Sequence, residues 1–242
     1  MAISREFIQT LDVGPVPASG LLQLTETAVG AVVAGSIVAI NQGVTEQHQR
    51  DVLQSLLLAQ LAANANSDRH KDPVNWYQAY QRTLEQVGWV VEASTTMTRY
   101  LPPGTRFTVP MVINDLFKKR VLPEELSLIT KTLNSFNREA GGPAQFVFEC
   151  PSHAGGIGNF QFGLAAEEDG VVSLQLGRFS FTTTAHVTRL TLEEFPLDAE
   201  FRAGFTAMSL NEQMYAVVRD AIAKKLEGRF VGSVALLELV AG

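Results

Sequence analysis

The hydrophobic pattern of this chain changes period once, from helix-like to strand-like, and this change constrains the fold more than any single residue does. Between Thr45 and Asn137, apolar residues recur every three or four positions in four stretches that form two consecutive pairs. From Ala144 to Val187 the apolar period is two, which is typical of half-buried strands. The order predicts two helical hairpins followed by antiparallel strands.

The first predicted helical pair covers Thr45 to Val91. Thr45 can accept a hydrogen bond from the free amides of the helix that follows it, and Asp72-Pro73 starts the second helix with an acidic cap and a proline at the first helical position. Each helix is expected to have one broad apolar face. These faces consist of Leu53, Leu57 and Leu61 in the first helix and of Trp76, Tyr80, Leu84, Val87 and Val91 in the second.

The second helical pair follows a polar, β-branched segment from Ala93 to Tyr100 that predicts an exposed or edge strand. Its first helix is short, Met111 to Arg120, and its second opens after Pro123 and continues to Asn137. A Gly-Gly-Pro run at positions 141–143 then ends the helical part of the chain.

Alternating phenylalanines predict the strands of the second half. The expected strand faces are Phe146 and Phe148, then Phe160, Phe162 and Leu164, then Phe179, Phe181, Thr183, Ala185 and Val187. Two hairpin turns are expected, at Glu167 to Gly170 and at Gly177-Arg178. The last turn would begin a long strand, Phe179 to Leu190, with serine, threonine and histidine on its other face.

The remaining segments extend this pattern at both ends. An apolar run predicts a buried strand near Ser36 to Asn41, preceded by a Gly/Ala segment that fits strand or helix. Residues 1–20 contain Pro15 and Pro17 and are expected to form an irregular arm. An amphipathic helix from Asn211 to Glu227 and a strand from Phe230 to Val240 are expected at the other end.

A sheet with apolar side chains on both faces needs to be covered on both sides. The predicted fold is therefore an α/β protein with three α-β-α layers, in which helical hairpins cover a mostly antiparallel central sheet. In the alternative arrangement all helices pack on one face and leave the Ser/Thr side of the strands in water. Residues 1–242 are expected to form a single domain.

Composition excludes several functional classes. The formal charge is -6 with acids and bases interspersed, so no basic stripe is available for phosphates and we expect no nucleic-acid partner. The longest apolar run, Val29 to Ile40, is shorter than the ~20 residues of a membrane-spanning helix. The first residues lack the pattern of a signal peptide. We therefore expect a soluble protein that is cytoplasmic when made and, if released, leaves by another route.

Candidate catalytic and metal-binding residues are few. Cys150 is the one cysteine of the sequence, which excludes an intramolecular disulfide and a thiolate zinc site. Cys150 and His153 resemble a nucleophile beside a base, but catalytic cysteine and histidine are usually distant in sequence, and a cysteine that fills core space at a strand end is the simpler interpretation. We expect no enzyme activity, no metal and no cofactor. The histidines are scattered without the spacing of a zinc site: His48, His70, His153 and His186.

The fourteen phenylalanines, concentrated after residue 136, fit two interpretations. They form a phenylalanine-rich sheet core, or they belong to strands that can exchange their helical cover for lipid, since strands of about ten residues with alternating polarity are used to cross membranes. The residues expected to be membrane-active are Phe160, Phe162, Leu164, Leu174, Leu176, Phe179, Phe181 and Val187.

Three stretches carry a family resemblance: DVLQSLLLAQLAANA from Asp51 to Ala65, MVINDLFKK from Met111 to Lys119, and the alternating stretch from Phe160 to Val187. Their order over roughly Ser36 to Leu190 resembles that of the Cyt-type cytolytic δ-endotoxins. The resemblance implies two helical hairpins wrapped around a β-sheet, with the strands as the membrane-active element. It also implies attack on membranes without enzymatic activity, by pore formation or by detergent-like disruption.

The leading hypothesis is a membrane-active, cytolysin-like protein whose soluble form opens its helical cover to insert into lipid or adsorb on it. Its expected partners are a lipid membrane and further copies of the chain, because exposed strand edges would need pairing. One alternative is a non-enzymatic structural or self-assembling protein. A second alternative is a cysteine-dependent enzyme that uses Cys150 and His153.

Overall fold

The computed structural model describes residues 4–13, 29–138, 141–154, 156–184, 187 and 189–239. Its helices are α1 Arg5–Thr10, α2 Glu46–Asn66, α3 Pro73–Gln86, α4 Val109–Phe117, α5 Pro123–Arg138, α6 Pro143–Ser152, α7 Glu212–Leu226 and α8 Phe230–Ser233. Its strands are β1 Val29–Val33, β2 Ser36–Ile40, β3 Trp89–Ser94, β4 Thr98–Arg99, β5 Arg106–Thr108, β6 His153–Ala154, β7 Ile157–Glu168, β8 Val171–Thr182, β9 Glu194–Pro196, β10 Glu200–Leu210 and β11 Val234–Leu237.

The central sheet has the strand order β11-β1-β2-β7-β8-β10-β3, and the short strands β4 and β6 pair with β10 and β7. Neighbouring strands are antiparallel except β2 and β7, where Ile37 lies opposite Phe162 in a parallel pair. The mostly antiparallel sheet is therefore confirmed. Its middle consists of the three longest strands, β7, β8 and β10, with 12, 12 and 11 residues.

Helices cover both faces of the sheet, so the three-layer arrangement is confirmed. On one side, here called the upper face, α2, α3 and α7 bury one set of strand residues. On the opposite side, the lower face, α4, α5 and α6 bury the other set. Within the described ranges, none of these helices combines the length and the hydropathy needed to cross a bilayer.

Local capping explains why most helices begin where the sequence predicts. The side chains of Thr45, Asp72 and Asn211 each accept a hydrogen bond from a first-turn amide of α2, α3 and α7. Helix α2 differs from the expectation in one respect, because it is buried nearly all round between the sheet, α3 and α7. Its buried polar residues include Asp51 and Gln60.

Two predictions are wrong: the end of the first helical hairpin, and the end of the helical part of the chain at positions 141–143. The first hairpin does not reach Val91, since Gly88 adopts a φ of +113° after α3 and the chain continues as β3 at the edge of the sheet. Phe146 and Phe148 do not share a strand face, because residues 143–152 form α6. On this helix Phe148 is buried and Phe146 is 75% exposed. Two aromatic residues spaced by two were too short a pattern to distinguish a strand from a helix.

The expected turn at Gly177-Arg178 is also wrong, whereas the turn at Glu167 to Gly170 is confirmed by positive φ values at Asp169 and Gly170. Strand β8 continues through Gly177, where a Cβ would lie 2.8 Å from the Phe179 ring and 2.9 Å from the Phe117 ring. This glycine makes room for two rings and does not mark a turn. The long strand Phe179 to Leu190 accordingly ends at Thr182, and residues 185, 186 and 188 lie outside the described residues.

The ends of the chain agree with the sequence in part. Helix α7 is confirmed, but the segment after it forms the short helix α8 before strand β11, and β10 was not predicted. In the N-terminal arm, residues 5–10 form helix α1, whose Ile8 is buried against the upper core. The proline-rich part of the arm, residues 14–20, lies outside the described residues. A single domain stays a prediction.

Candidate functional site

The structure separates the predicted membrane-active residues onto the two faces of the three long strands. The lower face carries Phe160, Phe162, Leu164, Phe179 and Phe181. The upper face carries Leu174 and Leu176, which pack with α2 and α7. Val187 is not on a strand as predicted, because β8 ends at Thr182, yet its side chain is buried with the lower set.

The lower face is a continuous cluster of aromatic rings. Phe160 stacks on Phe179 with ring centroids 4.9 Å apart, and Phe181 stacks on Phe201 at 5.9 Å. Phe148 of α6 meets the edge of Phe160 at 6.0 Å. The sequence interpretation missed the β10 members of this cluster, Phe201 and Phe205. Their signal was present, since phenylalanine and alanine alternate at positions 201, 203, 205 and 207.

The upper face is polar over the half of the strands that α2 and α7 do not cover. At its centre the hydroxyl group of Tyr77 lies 3.0 Å from the carbonyl oxygen of Phe160 and accepts a hydrogen bond from the amide of Phe179 at 3.2 Å. The side chain of Gln161 donates to the same hydroxyl, and its oxygen accepts from Ser36 at 2.7 Å. Burial raises the pKa of Tyr77 to about 12, so this hydroxyl stays protonated.

Arg69 extends this buried network between α2 and α3. Its guanidinium donates to the carbonyl oxygen of Pro151 at 2.9 Å and to the side chain of Gln60 at 2.7 Å, and it lies 4.2 Å above the ring of Trp76. Within the described residues no carboxylate forms an ion pair with it. Burial lowers the pKa of Arg69 to about 10. Gly35 leaves the space that this guanidinium occupies, since a Cβ there would lie 2.0 Å from Nη1.

A groove of about 660 Å³, here called the polar groove, opens over the polar end of the upper face. It lies between α3 and the segment 94–97 that joins β3 to β4. Its floor and walls include Tyr77, Met97, Arg178, Ser180, Thr182 and Arg202. The groove therefore combines two guanidinium groups with hydroxyl groups and a few apolar side chains.

No family model matches the chain, and a search of curated proteins finds no match. Among solved structures, the fold is similar to one described as "delta-endotoxin", at a TM-score of 0.39 and 9% identity, over 81% of this chain and 89% of that one. It is also similar to the Evf virulence factor, at a TM-score of 0.39 and 11% identity, over 93% and 90%. A third similar structure is the activated Cyt2Ba monomer from Bacillus thuringiensis subsp. israelensis, at a TM-score of 0.38 and 8% identity, over 71% and 94%. Two of these three names, delta-endotoxin and Cyt2Ba, belong to the class of proteins that the sequence resembles.

His48 belongs to a cluster of charged residues at the N-terminal end of α2. Its Nδ1 lies 2.8 Å from the carboxylate of Glu167, a partly buried residue of the β7–β8 hairpin. Ligand atoms of His48, Asp51 and Glu212 all lie within 4.8 Å of one another, as in a metal site. Arg219, however, binds both oxygens of Asp51 and both oxygens of Glu212. This arrangement is an ion-pair network that joins α2 to α7. Burial still raises the pKa of Asp51 although Arg219 opposes it.

Cys150 and His153 lie at the end of α6, and the cysteine is exposed, contrary to the expectation of a core cysteine. The imidazole of His153 contacts groups other than the thiol of Cys150. Its Nδ1 lies 3.3 Å from the carboxylate of Glu149, and its Nε2 lies 3.1 Å from the carbonyl oxygen of Val187. The carboxylate of Glu149 accepts the amide of Leu190 through both oxygens, at 3.1 and 3.2 Å. Glu149 therefore attaches the loop after β8 to α6.

Burial raises the pKa of Glu149 to about 7, against the opposing effects of the Leu190 amide and Arg189 and with support from Glu193. A folded pKa above the unfolded value means that the unfolded state binds fewer protons between the two values. The contribution of Glu149 to the free energy of unfolding is thus fully present below about pH 4.5 and is lost as the pH rises to about 7. Because the side chain is partly solvated, we expect a change of about 2 kcal/mol.

Glu149→Gln tests this contribution, because glutamine mimics the protonated carboxyl group and still accepts the Leu190 amide. We expect the variant to match the wild type near pH 4 and to exceed its free energy of unfolding by about 2 kcal/mol near pH 8. Urea denaturation across this range measures the difference. A difference in free energy of unfolding between the two proteins that is the same at every pH would contradict the assignment. Glu124→Gln at the exposed start of α5 is the matched control and should not reproduce the gain in free energy of unfolding near pH 8.

Proposed function

We propose that the protein is a membrane-active, cytolysin-like protein that moves its lower helices aside and places the lower face of the sheet on lipid. The observation that carries the proposal is the continuous aromatic face of β7, β8 and β10, buried under α4, α5 and α6. Each of these strands has 11 or 12 residues, and strands of about 9–11 residues suffice to cross a bilayer.

The two helical layers are attached to the sheet by different kinds of contact. On the upper face, Tyr77 bonds to the backbone of β7 and β8, and Gln60 bonds to the β1 carbonyl oxygen of Val33 at 2.7 Å. On the lower face, α4 and α5 pack on the strands through apolar side chains. These are Val112, Ile113, Phe117, Ile129, Leu133 and Phe136. Lipid tails can replace apolar contacts, whereas they cannot replace hydrogen bonds. The lower layer is therefore the one that opens.

The polarity of the strands agrees with one-sided lipid contact. At one end of β7 and β8 the lower positions include Phe160, Phe162, Phe179 and Phe181, whereas the upper positions at that end are Asn159, Gln161, Arg178 and Ser180. Exposing the lower face to water would cost roughly 25 cal/mol per Å² of apolar surface, and contact with lipid would offset that cost. Freed strand edges would need hydrogen-bond partners in lipid, so further copies of the chain are the expected neighbours.

Release of a trapped dye from lipid vesicles tests the proposal. We expect the protein to sediment with vesicles of phosphatidylcholine and to release their dye, with the rate followed over a series of pH values. The control is the same protein cross-linked in its folded state with a short bifunctional reagent, which should bind less and release less. Vesicles that stay sealed and protein that stays in the supernatant at every pH would refute the membrane function. A defined oligomer in the absence of lipid would then favour the self-assembling alternative.

A further inference from the structure

The polar groove contains an arginine that a hydrogen bond holds in place, although one of its N–H groups has no hydrogen-bond partner within the described residues. Arg178 donates through Nη2 to the carbonyl oxygen of Thr95 at 2.6 Å and lies 5.7 Å from the centre of the Tyr77 ring. Its Nε–H is buried and has no hydrogen-bond partner within the described residues. A buried donor without an acceptor costs free energy, so the position is better explained if an acceptor binds there.

A second guanidinium lies beside the first on the neighbouring strand. Arg202 of β10 is opposite Ser180 of β8, and Gly204 is opposite Arg178, so the two arginines are diagonal neighbours on the upper face. Neither arginine forms an ion pair among the residues that the structure describes, and the one carboxylate that lines the groove belongs to Glu200 at its exposed rim. The floor of the groove therefore has an excess of positive charge.

Gly204 keeps the space beside Arg178 open. A Cβ at this position would lie 3.1 Å from the sulfur of Met97 and 3.3 Å from Nη2 of Arg178, closer than most side chains allow. Hydroxyl groups surround this space, from Ser94, Thr95, Ser180 and Thr182. Two guanidinium groups on different strands match the several oxygens of a phosphate better than the two oxygens of a carboxylate, and hydroxyl groups match a polyol.

We infer that the polar groove binds the phosphate ester of a polyol, with Arg178 and Arg202 on the phosphate and the Ser/Thr hydroxyls on the polyol. The volume of about 660 Å³ lies within the range of small-molecule sites. Such a group exists both as a free sugar phosphate and as the headgroup of phosphatidylinositol. The free-ligand form of this inference does not depend on the proposed membrane function, whereas the headgroup form would give that function a lipid preference.

Calorimetric titration with glucose 6-phosphate, myo-inositol 1-phosphate, inorganic phosphate and glucose tests the site. We expect at least one of the two phosphate esters to bind at least tenfold more tightly than glucose, with an affinity that falls as salt rises because exposed charges are screened. Equal binding of glucose and both esters, or no binding of either ester, would overturn the inference unless the vesicle experiment below shows headgroup binding. Binding of inorganic phosphate as tight as that of both esters would remove the polyol part.

Two variants locate the site without changing Arg178. Arg202→Gln removes an exposed charge, and Gly204→Ala fills the space beside Arg178; each is expected to weaken binding of the tighter ester at least fivefold. Arg50→Gln, on the exposed side of α2, is the matched control and should bind like the wild type. Unchanged affinity in both groove variants would place the binding elsewhere and overturn the assignment.

Vesicles distinguish the two sources of the ligand. Sedimentation with phosphatidylcholine vesicles that contain phosphatidylinositol is compared with sedimentation with pure phosphatidylcholine vesicles. A preference for the first that Arg202→Gln removes supports a headgroup; no preference, together with binding of the free esters, supports a soluble ligand. Failure of both experiments refutes the groove inference even if dye is released. Conversely, ester binding by a protein that leaves vesicles sealed supports the groove and refutes the membrane function.

Discussion

A disulfide between positions 30 and 132 is expected to abolish dye release until it is reduced. Thr132 lies on α5 and Gly30 on β1, so the bond would attach the lower helical layer to the sheet. A Cβ at position 30 would lie 3.0 Å from Cγ2 of Thr132. Within a disulfide, the sulfur of one cysteine is about 3 Å from the Cβ of the other, so a sulfur in the Cγ2 position has suitable geometry.

The experiment uses Gly30→Cys with Thr132→Cys in a Cys150→Ser background, which leaves the new pair as the only thiols. Leu237 would lie 3.1 Å from the added Cβ and must shift slightly, so folding is verified by circular dichroism. The bond closes a loop of about 100 residues and is expected to raise the free energy of unfolding by up to about 4 kcal/mol. Dye release is expected to fall at least tenfold when the protein is oxidised and to return with dithiothreitol.

Gly30→Cys alone, in the same Cys150→Ser background, should release dye equally with and without dithiothreitol. If the bond is present by mass spectrometry and the oxidised protein releases dye as fast as the reduced protein, then α5 does not move away from β1. That outcome would contradict opening of the lower layer while leaving lipid adsorption by another surface to be tested. The result thus separates the conformational step from membrane binding itself.

The helices were predictable because their signals are local. Thr45, Asp72 and Asn211 each cap a helix through an amide only three residues away, and this information is present in any short window of sequence. The hairpin turn at Asp169-Gly170 is local in the same sense, since its positive φ values need residues that tolerate them. The three-layer arrangement then followed from the need to bury both faces of the sheet.

The errors occurred where tertiary packing determines a residue's role. Gly177 is a residue type common in turns, yet here it leaves space for two rings, Phe179 of the same strand and Phe117 of the distant helix α4. Phe146 and Phe148 alternate as in a strand, but Pro143 begins a helix that buries one of them. The polar network could not be derived from sequence either, because Ser36 and Gln161 meet across 125 residues. Similarly, the groove brings Arg178 and Arg202 together only through the register of β8 and β10.

Phe160→Ala is expected to lower the free energy of unfolding by about 3–5 kcal/mol, because the residue is fully buried and its loss leaves a cavity. Phe160 contacts the rings of Phe179, Phe148 and Phe201, so the aromatic cluster cannot close over the space without moving both the sheet and α6. Urea denaturation measures the change. Phe146→Ala, at a phenylalanine that is 75% exposed, is the matched control and should change stability by no more than about 0.5 kcal/mol.

The same pair of variants connects stability to function. Phe160→Ala weakens the contact between α6 and the sheet, so the lower layer should open more readily, while the opened face loses one aromatic side chain of several. We therefore expect dye release to begin at a lower urea concentration than in the wild type, with Phe146→Ala unchanged. If Phe160→Ala is destabilised as expected but releases dye at the wild-type urea concentration, opening of the lower layer does not limit membrane attack. A loss of stability below about 1 kcal/mol would instead show that the cluster repacks around the missing ring.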